Sequence, residues 1–173
     1  TLVKNADAAM YRSKAKGRNR VERYTRDLTA QASERIALEH ELRRAIERNE
    51  LSLFYQPKLC LLSQRLVGAE ALLRWRHPTF GDVPPEHFIP LAEENGMILQ
   101  IGDWVLESAC RQMCEWNKSY TPFGPLSVNL AGMQLRQPNL LQRIEQLLKE
   151  SDLEPGCLQL EITENFIDRK SVV

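Results

Sequence analysis

The sequence predicts an α/β fold, and three observations predict it. Apolar spacing switches between a period of two and a period near 3.6 along the chain, so that strands and helices alternate. The joints between these segments are short and carry Pro or Gly. One strand segment, 66–75 (LVGAEALLRW), is apolar almost throughout, as expected of a strand covered on both faces. An open doubly wound sheet and a closed (β/α) barrel both satisfy this order.

Residues 5–17 place Ala6, Ala9, Met10 and Ala15 at helical spacing, with Gly17 where a helix would stop. Residues 20–32 are polar without a clear apolar face and read as a connector. From Ser33 to Arg48 an amphipathic helix is expected, because Leu38, Leu42, Ala45 and Ile46 fall on one side. Leu51, Leu53 and Tyr55 then alternate with Ser52, Phe54 and Gln56, a strand ending before Pro57. After the strand 66–75, Pro84 and Pro85 introduce a helix over 86–95 that ends at Gly96. A longer helix over about 100–117 has Ile101, Trp104, Val105, Ala109 and Met113 as its core side. Residues 126–131 (LSVNLA) form a short strand, 138–151 a helix and 157–163 (CLQLEIT) a further strand.

With 173 residues the chain has room for one domain, or one domain and part of another. Its 43% hydrophobic content argues against disorder, and 23 basic against 23 acidic residues give no overall pull toward nucleic acid or membrane. The neutral total conceals a gradient. Residues 1–31 hold eight basic and three acidic groups, a net +5, and the remainder carries −5. With no aromatic residues interleaved to stack bases, the basic end reads as a solvated helix rather than a nucleic-acid arm. No apolar run reaches the ~20 residues of a membrane span. The opening TLVKNADAAMYRSKAKGRNR has no initiator Met and no signal-peptide pattern, so the chain is expected to come from the interior of a longer protein. Cys60, Cys110, Cys114 and Cys157 are expected to be buried reduced thiols of a cytoplasmic protein. A zinc site would need a second close ligand pair, which His40, His77 and His87 do not supply.

Neither a GxGxxG nor a GxxxxGK[ST] loop follows any strand, so there is no sequence case for a dinucleotide or P-loop site. Three strands instead carry a polar group that a purely structural strand avoids: Glu70, Asn129 and Glu161. Burying a carboxylate unpaired is costly, so such a group implies a partner cation, a metal or a proton. Strand parity puts Leu66, Gly68, Glu70, Leu72 and Arg74 on one face, Ser127 with Asn129 on one face, and Gln159, Glu161 and Thr163 on one face. Each strand thus has an apolar side for helices and a side that turns polar toward its C-terminal end, where barrels build their sites. Two carboxylates and an amide oxygen are hard donors suited to Mg²⁺, Mn²⁺ or Ca²⁺, and Arg74 beside them offers a fork for a phosphate oxygen. The same residues also admit a structural reading, in which Glu70 pairs with Arg74 and Asn129 caps a loop.

Five segments together resemble the EAL domain, a bacterial cyclic-di-GMP phosphodiesterase: YQP at 55–57, GAEALLRWRHP at 68–78, FIPLAEENG at 88–96, SVNLAG at 127–132 and LEITEN at 160–165. The resemblance runs in order from about Ile36 to Val173. The front, NADAAMYRSKAKGRNRV at 5–21, resembles the exit of a GGDEF domain, the diguanylate cyclase module that often precedes EAL. It implies a division into a GGDEF remnant at 1–22, a linker helix region at 23–35 and the N-terminal half of an EAL domain at 36–173.

What the resemblance implies is specific. The fold would be a TIM-like (β/α)8 barrel whose first strand runs antiparallel to the rest, with only about the first half present. The reaction would be hydrolysis of one phosphodiester bond of cyclic-di-GMP to linear pGpG, with two divalent cations (Mg²⁺ or Mn²⁺) that lower the pKa of a water and stabilise charge in an in-line displacement. Glu70, Asn129 and Glu161 match the family's metal ligands, with Glu70 and Glu161 counted as catalytic. Arg74 matches its phosphate-contacting arginine, Gln56 a pocket glutamine near the substrate, and Glu164 a second glutamate near the strand end. Lys14 and Arg18 match positions near the cyclase's nucleotide phosphates. A homodimer through this domain is implied for the full-length protein. The family's aspartate pair, its lysine and a later glutamate fall beyond Val173, so these 173 residues alone are not expected to turn over substrate. The alternative reading is a degenerate EAL domain that binds cyclic-di-GMP or a partner protein without cleaving it.

Overall fold

A computed structural model describes residues 26–119 and 124–162, with single positions at 3, 6, 10, 13, 19 and 21. The chain falls into two units, Thr1–Arg44 and Ala45–Val173. The first unit contains nearly all of helix α1, Arg26–Ala45. This helix starts seven residues before the expected Ser33, so half of the supposed connector is helical. The added turns carry no apolar face. Residues 26–32 contain neither Gly nor Pro and include Leu and two Ala, and such a stretch extends a helix without needing a partner surface. Within the helix Arg43 reaches Glu39 one turn back, 3.4 Å away.

The second unit opens on a chain reversal. The Glu50 N–H donates to the Ala45 carbonyl at 2.9 Å and the Asn49 N–H to Ile46 at 3.1 Å, with Asn49 at φ 55°. These two bonds form a Schellman closure with asparagine in the left-handed position.

The sheet has five strands: β1 Leu51–Leu59, β2 Leu66–His77, β3 Gly81–Val83, β4 Leu126–Leu130 and β5 Leu158–Ile162. Its path is β1-β2-β4-β5, with β3 a short hairpin partner on the far half of β2. β1 runs antiparallel to β2, whereas β2–β4 and β4–β5 are parallel. β3 was not expected, since three residues are too few to show alternation. β1 also continues through Pro57, where the sequence reading ended it. Pro57 stands opposite Ala69, whose own N–H turns away from β1 to the Pro125 carbonyl at 3.1 Å. Pro57 therefore sits at a pair that exchanges no ladder bonds, and its missing donor faces the side of β1 on which no strand pairs among the described residues.

Three helices accompany the sheet: α2 Pro85–Glu94, α3 Ile98–Ser119 and α4 Leu140–Glu150. α3 buries Ile98, Ile101, Gly102, Val105, Leu106, Ala109, Cys110 and Met113. Trp104, expected in this row, is only half-buried, because a 3.6-residue repeat carries it to the flank while Leu106 takes the centre. The covered side of the sheet includes Ala69, Ala71, Trp75, Leu126, Val128 and Leu130, all buried. Trp75 anchors it: the ring meets Phe88 edge-to-face at 5.5 Å and its N–H donates to Glu50 at 3.0 Å. Tyr55 on β1 meets Trp116 of α3 edge-to-face at 4.8 Å. All four cysteines are free thiols, but only Cys110 is fully buried; Cys60, Cys114 and Cys157 are partly exposed, a correction to the expectation that all are core. Among the described residues no helix is long and apolar enough to cross a membrane.

Candidate functional site

The uncovered side of the sheet gathers the polar residues by register alone. Gln56 on β1 stands opposite Glu70 on β2, Glu70 opposite Ser127 on β4, and Asn129 opposite Glu161 on β5. Because side chains alternate across a strand, all five project from the same face. Arg74 lies four residues beyond Glu70 on that face, opposite Ser52.

Side-chain contacts divide this row into three parts. Asn129 donates from Nδ2 to Glu70 Oε1 at 2.8 Å. Lys58 donates from Nζ to Glu161 Oε1 at 2.5 Å and to Ser127 Oγ at 2.6 Å. Arg74 donates from Nη1 to the Leu73 carbonyl at 2.9 Å, and its guanidinium carbon lies 5.7 Å from the centre of the Phe54 ring. Glu70 thus pairs with Asn129, and the alternative of a structural Glu70–Arg74 ion pair is not what the fold contains. Arg74 and Asn129 both line a cleft of about 1100 Å³ at the C-terminal ends of β2 and β4, bounded by α2, α3 and the loop after β4. Glu164 lies outside the described residues, as do Lys14 and Arg18.

The hydrogen bond from Lys58, with the Ser127 hydroxyl beside it, holds the Glu161 carboxyl below its ordinary range, against a small opposing effect of burial. Glu161 is therefore ionised throughout the neutral range.

Two residues that sequence reasoning missed shape the site. Lys58 shares the parity of Gln56, and extending β1 through Pro57 would have exposed it. Gln134, in the 3₁₀ turn Gln134–Arg136 after β4, is 2% exposed and accepts the Ala131 N–H at 3.0 Å through its side-chain oxygen. It thereby closes the loop that begins two residues after Asn129. Its amide packs against Gly102 of α3, where an added Cβ would stand 2.1 Å from Nε2. No periodicity announces that contact.

The donor set of Glu70, Asn129, Glu161 and Ser127 is entirely oxygen once the Asn129 amide is turned by half a rotation, which exchanges its oxygen and nitrogen. It suits part of a hard divalent-cation shell. Among the described residues no group of three His, Cys, Asp or Glu side chains is arranged to hold a metal ion, so these residues constitute part of a shell rather than a whole one.

A sequence profile of the EAL domain matches residues 39–173. The chain belongs to the EAL domain family. Among curated proteins it is 44% identical over 164 residues to the bifunctional diguanylate cyclase/cyclic di-GMP phosphodiesterase MucR of Pseudomonas aeruginosa, a match covering 95% of this chain and 24% of MucR. It is 40% identical over 166 residues to the cyclic di-GMP phosphodiesterase NbdA of the same organism, covering 96% of this chain and 21% of NbdA. The chain therefore spans less than a quarter of the length of these relatives. Among solved structures it resembles the MucR phosphodiesterase in complex with c-di-GMP, with a TM-score of 0.74 and 43% identity over 78% of this chain and 55% of that one. The antiparallel β1 followed by parallel β2, β4 and β5 is part of the EAL type of TIM-like barrel.

Proposed function

We propose that this EAL segment belongs to a cyclic-di-GMP-specific phosphodiesterase, cutting one phosphodiester bond to give linear pGpG. The observation that carries the reading is the convergence of Glu70, Asn129 and Glu161 from three adjacent strands onto one face, beside a cleft lined by Arg74. The relatives named as cyclic di-GMP phosphodiesterases support it.

In this reading Glu70, Asn129 and Glu161 hold Mg²⁺ or Mn²⁺ together with groups outside the described residues. When bound, the metal pair supplies an acidified water and stabilises negative charge on the phosphoryl oxygens. The chain's own residues bind and orient. Arg74, held by the Leu73 carbonyl and the Phe54 ring, presents its fork toward a phosphate in the cleft. Gln56, opposite Glu70, offers an amide to the substrate from the neighbouring strand. The buried Ser127 and the Lys58 ammonium keep Glu161 ionised and fixed.

The front of the chain fits a GGDEF exit, because the MucR match extends ahead of the EAL profile and MucR is named as bifunctional. In this reading the parent is a GGDEF–EAL signalling protein whose present segment lies in the cytoplasm and which pairs as a homodimer through this domain.

The test uses the intact protein, with Mg²⁺ and cyclic-di-GMP, following pGpG by chromatography. Glu70→Ala is expected to abolish hydrolysis while shifting the thermal melt little. Hydrolysis that survives the substitution overturns the metal assignment. Tight binding of cyclic-di-GMP without cleavage by the wild type replaces the enzyme with a receptor.

A further inference from the structure

Lys58 occupies an unusual place for a lysine. It projects from an edge strand onto the polar face, and its nearest neighbour on β2 is Gly68. A Cβ at Gly68 would stand 2.7 Å from the Pro125 carbonyl oxygen, so the glycine serves the close approach of the backbone that leads into β4. The ammonium arrives beyond β2, between Ser127 on β4 and Glu161 on β5, at 2.6 and 2.5 Å. One side chain thus ties the outermost strand of the path to the two strands on the far side of β2. Ser127 is fully buried, so one of the two anchors is fixed by packing and the ammonium position follows from it. Lys58 engages Glu161 through Oε1, with the Ser127 hydroxyl as a second hydrogen-bond partner of the carboxylate.

We infer that Lys58 is a positioning residue for the cation site: it fixes the Glu161 carboxylate by one oxygen so that the other is aimed at the metal. This inference rests on the hydrolase reading above. The geometry decides between two roles an ammonium in such a place can have. A lysine standing where a metal belongs competes with it, and removing the lysine then tightens metal binding. A lysine holding a ligand from behind organises it, and removing the lysine then weakens metal binding. The second role follows from the contact pattern. Lys58 bonds to Glu161 and Ser127, whereas Glu70 and Asn129 are bonded to each other.

The test titrates Mn²⁺ alone into the intact protein and reads free Mn²⁺ by electron paramagnetic resonance, for wild type, Lys58→Met and Lys58→Arg. Removing groups that orient metal ligands costs about 10–100-fold in metal affinity, so Lys58→Met is expected to weaken Mn²⁺ binding about tenfold, with Lys58→Arg recovering most of the loss. A circular dichroism melt of each variant establishes that it is folded; if Lys58→Met is not, Lys58→Gln, which keeps a donor of shorter reach, takes its place with the same expected weakening. Unchanged or tighter Mn²⁺ binding in the folded variant overturns the positioning role. Failure of the wild type to bind Mn²⁺ at all sinks the hydrolase reading itself, and this inference with it.

Discussion

Gly102 lies on the buried face of α3, in the interior of a 22-residue helix where alanine is ordinarily the better residue. Intrinsic propensity alone says that Gly102→Ala stabilises by about 1 kcal/mol. The structure predicts the opposite sign. A Cβ on Gly102 would stand 2.1 Å from Gln134 Nε2, 2.4 Å from its Cδ and 2.7 Å from its Oε1. The whole amide group must therefore move, toward the cleft that Gln134 and Gly102 both line and away from its place against Ala131. Overpacking of this kind costs about 1–3 kcal/mol. Displacing Oε1 also breaks the bond to the Ala131 N–H and leaves that donor unsatisfied, at about 1–3 kcal/mol. With overpacking near the lower end of its range, because the cleft receives the displaced amide, and set against the propensity gain, the net effect is a destabilisation of about 2 kcal/mol, or about 4–8 °C in Tm at this chain length. Thermal and urea denaturation measure it. A second arm fixes the cause: in a Gln134→Ala background the obstruction is gone, and Gly102→Ala should become neutral or stabilising. A Gly102→Ala protein that melts higher than wild type, with Gln134 in place, would refute the reasoning.

Trp75→Ala should cost about 3–5 kcal/mol in urea denaturation, because the ring is 1% exposed and packed against Phe88. Trp75→Phe removes the N–H donated to Glu50 together with part of the buried ring volume, at an expected cost of about 1–3 kcal/mol; a variant as stable as wild type contradicts both contributions. The Glu161 carboxyl, held low by Lys58 and Ser127, contributes stability above its ordinary pKa near 4.5, and that contribution is lost as pH falls through the depressed folded value. The gap in urea midpoint between wild type and Lys58→Met should accordingly be constant from pH 7 to about 5 and shrink below 4.5; a gap that stays flat to pH 3 contradicts it.

The parts of the site that sequence reveals are those fixed by strand period. Glu70, Asn129 and Glu161 interrupt apolar runs, and a period of two places each on a definite face, so their common side follows from counting. Their register across strands does not. Asn129 bonds to Glu70, although the residue opposite Glu70 on β4 is Ser127, because that row depends on how β2 and β4 pair in parallel. Lys58 was hidden by a sound rule misapplied: proline ends central strands, but β1 is an edge, and Pro57 sits where no ladder bond is lost. The start of α1 was hidden for the converse reason, since a helix without an apolar stripe offers no period to read.

Gln134 and Gly102 lie further from what a sequence can state. Each alone has an ordinary meaning, a polar loop residue and a helix glycine. Their joint meaning arises only when α3 and the loop after β4 are brought together in space. At Gly68 the neighbour is backbone: a Cβ there would stand 2.7 Å from the Pro125 carbonyl oxygen, just ahead of β4. In both places the glycine supplies room, at Gly102 for the amide that holds the loop after Asn129 and at Gly68 for the carbonyl that leads into β4. A substitution at either glycine would therefore act on Asn129 without touching it, through β4 or the loop that follows it, as a change in its placement.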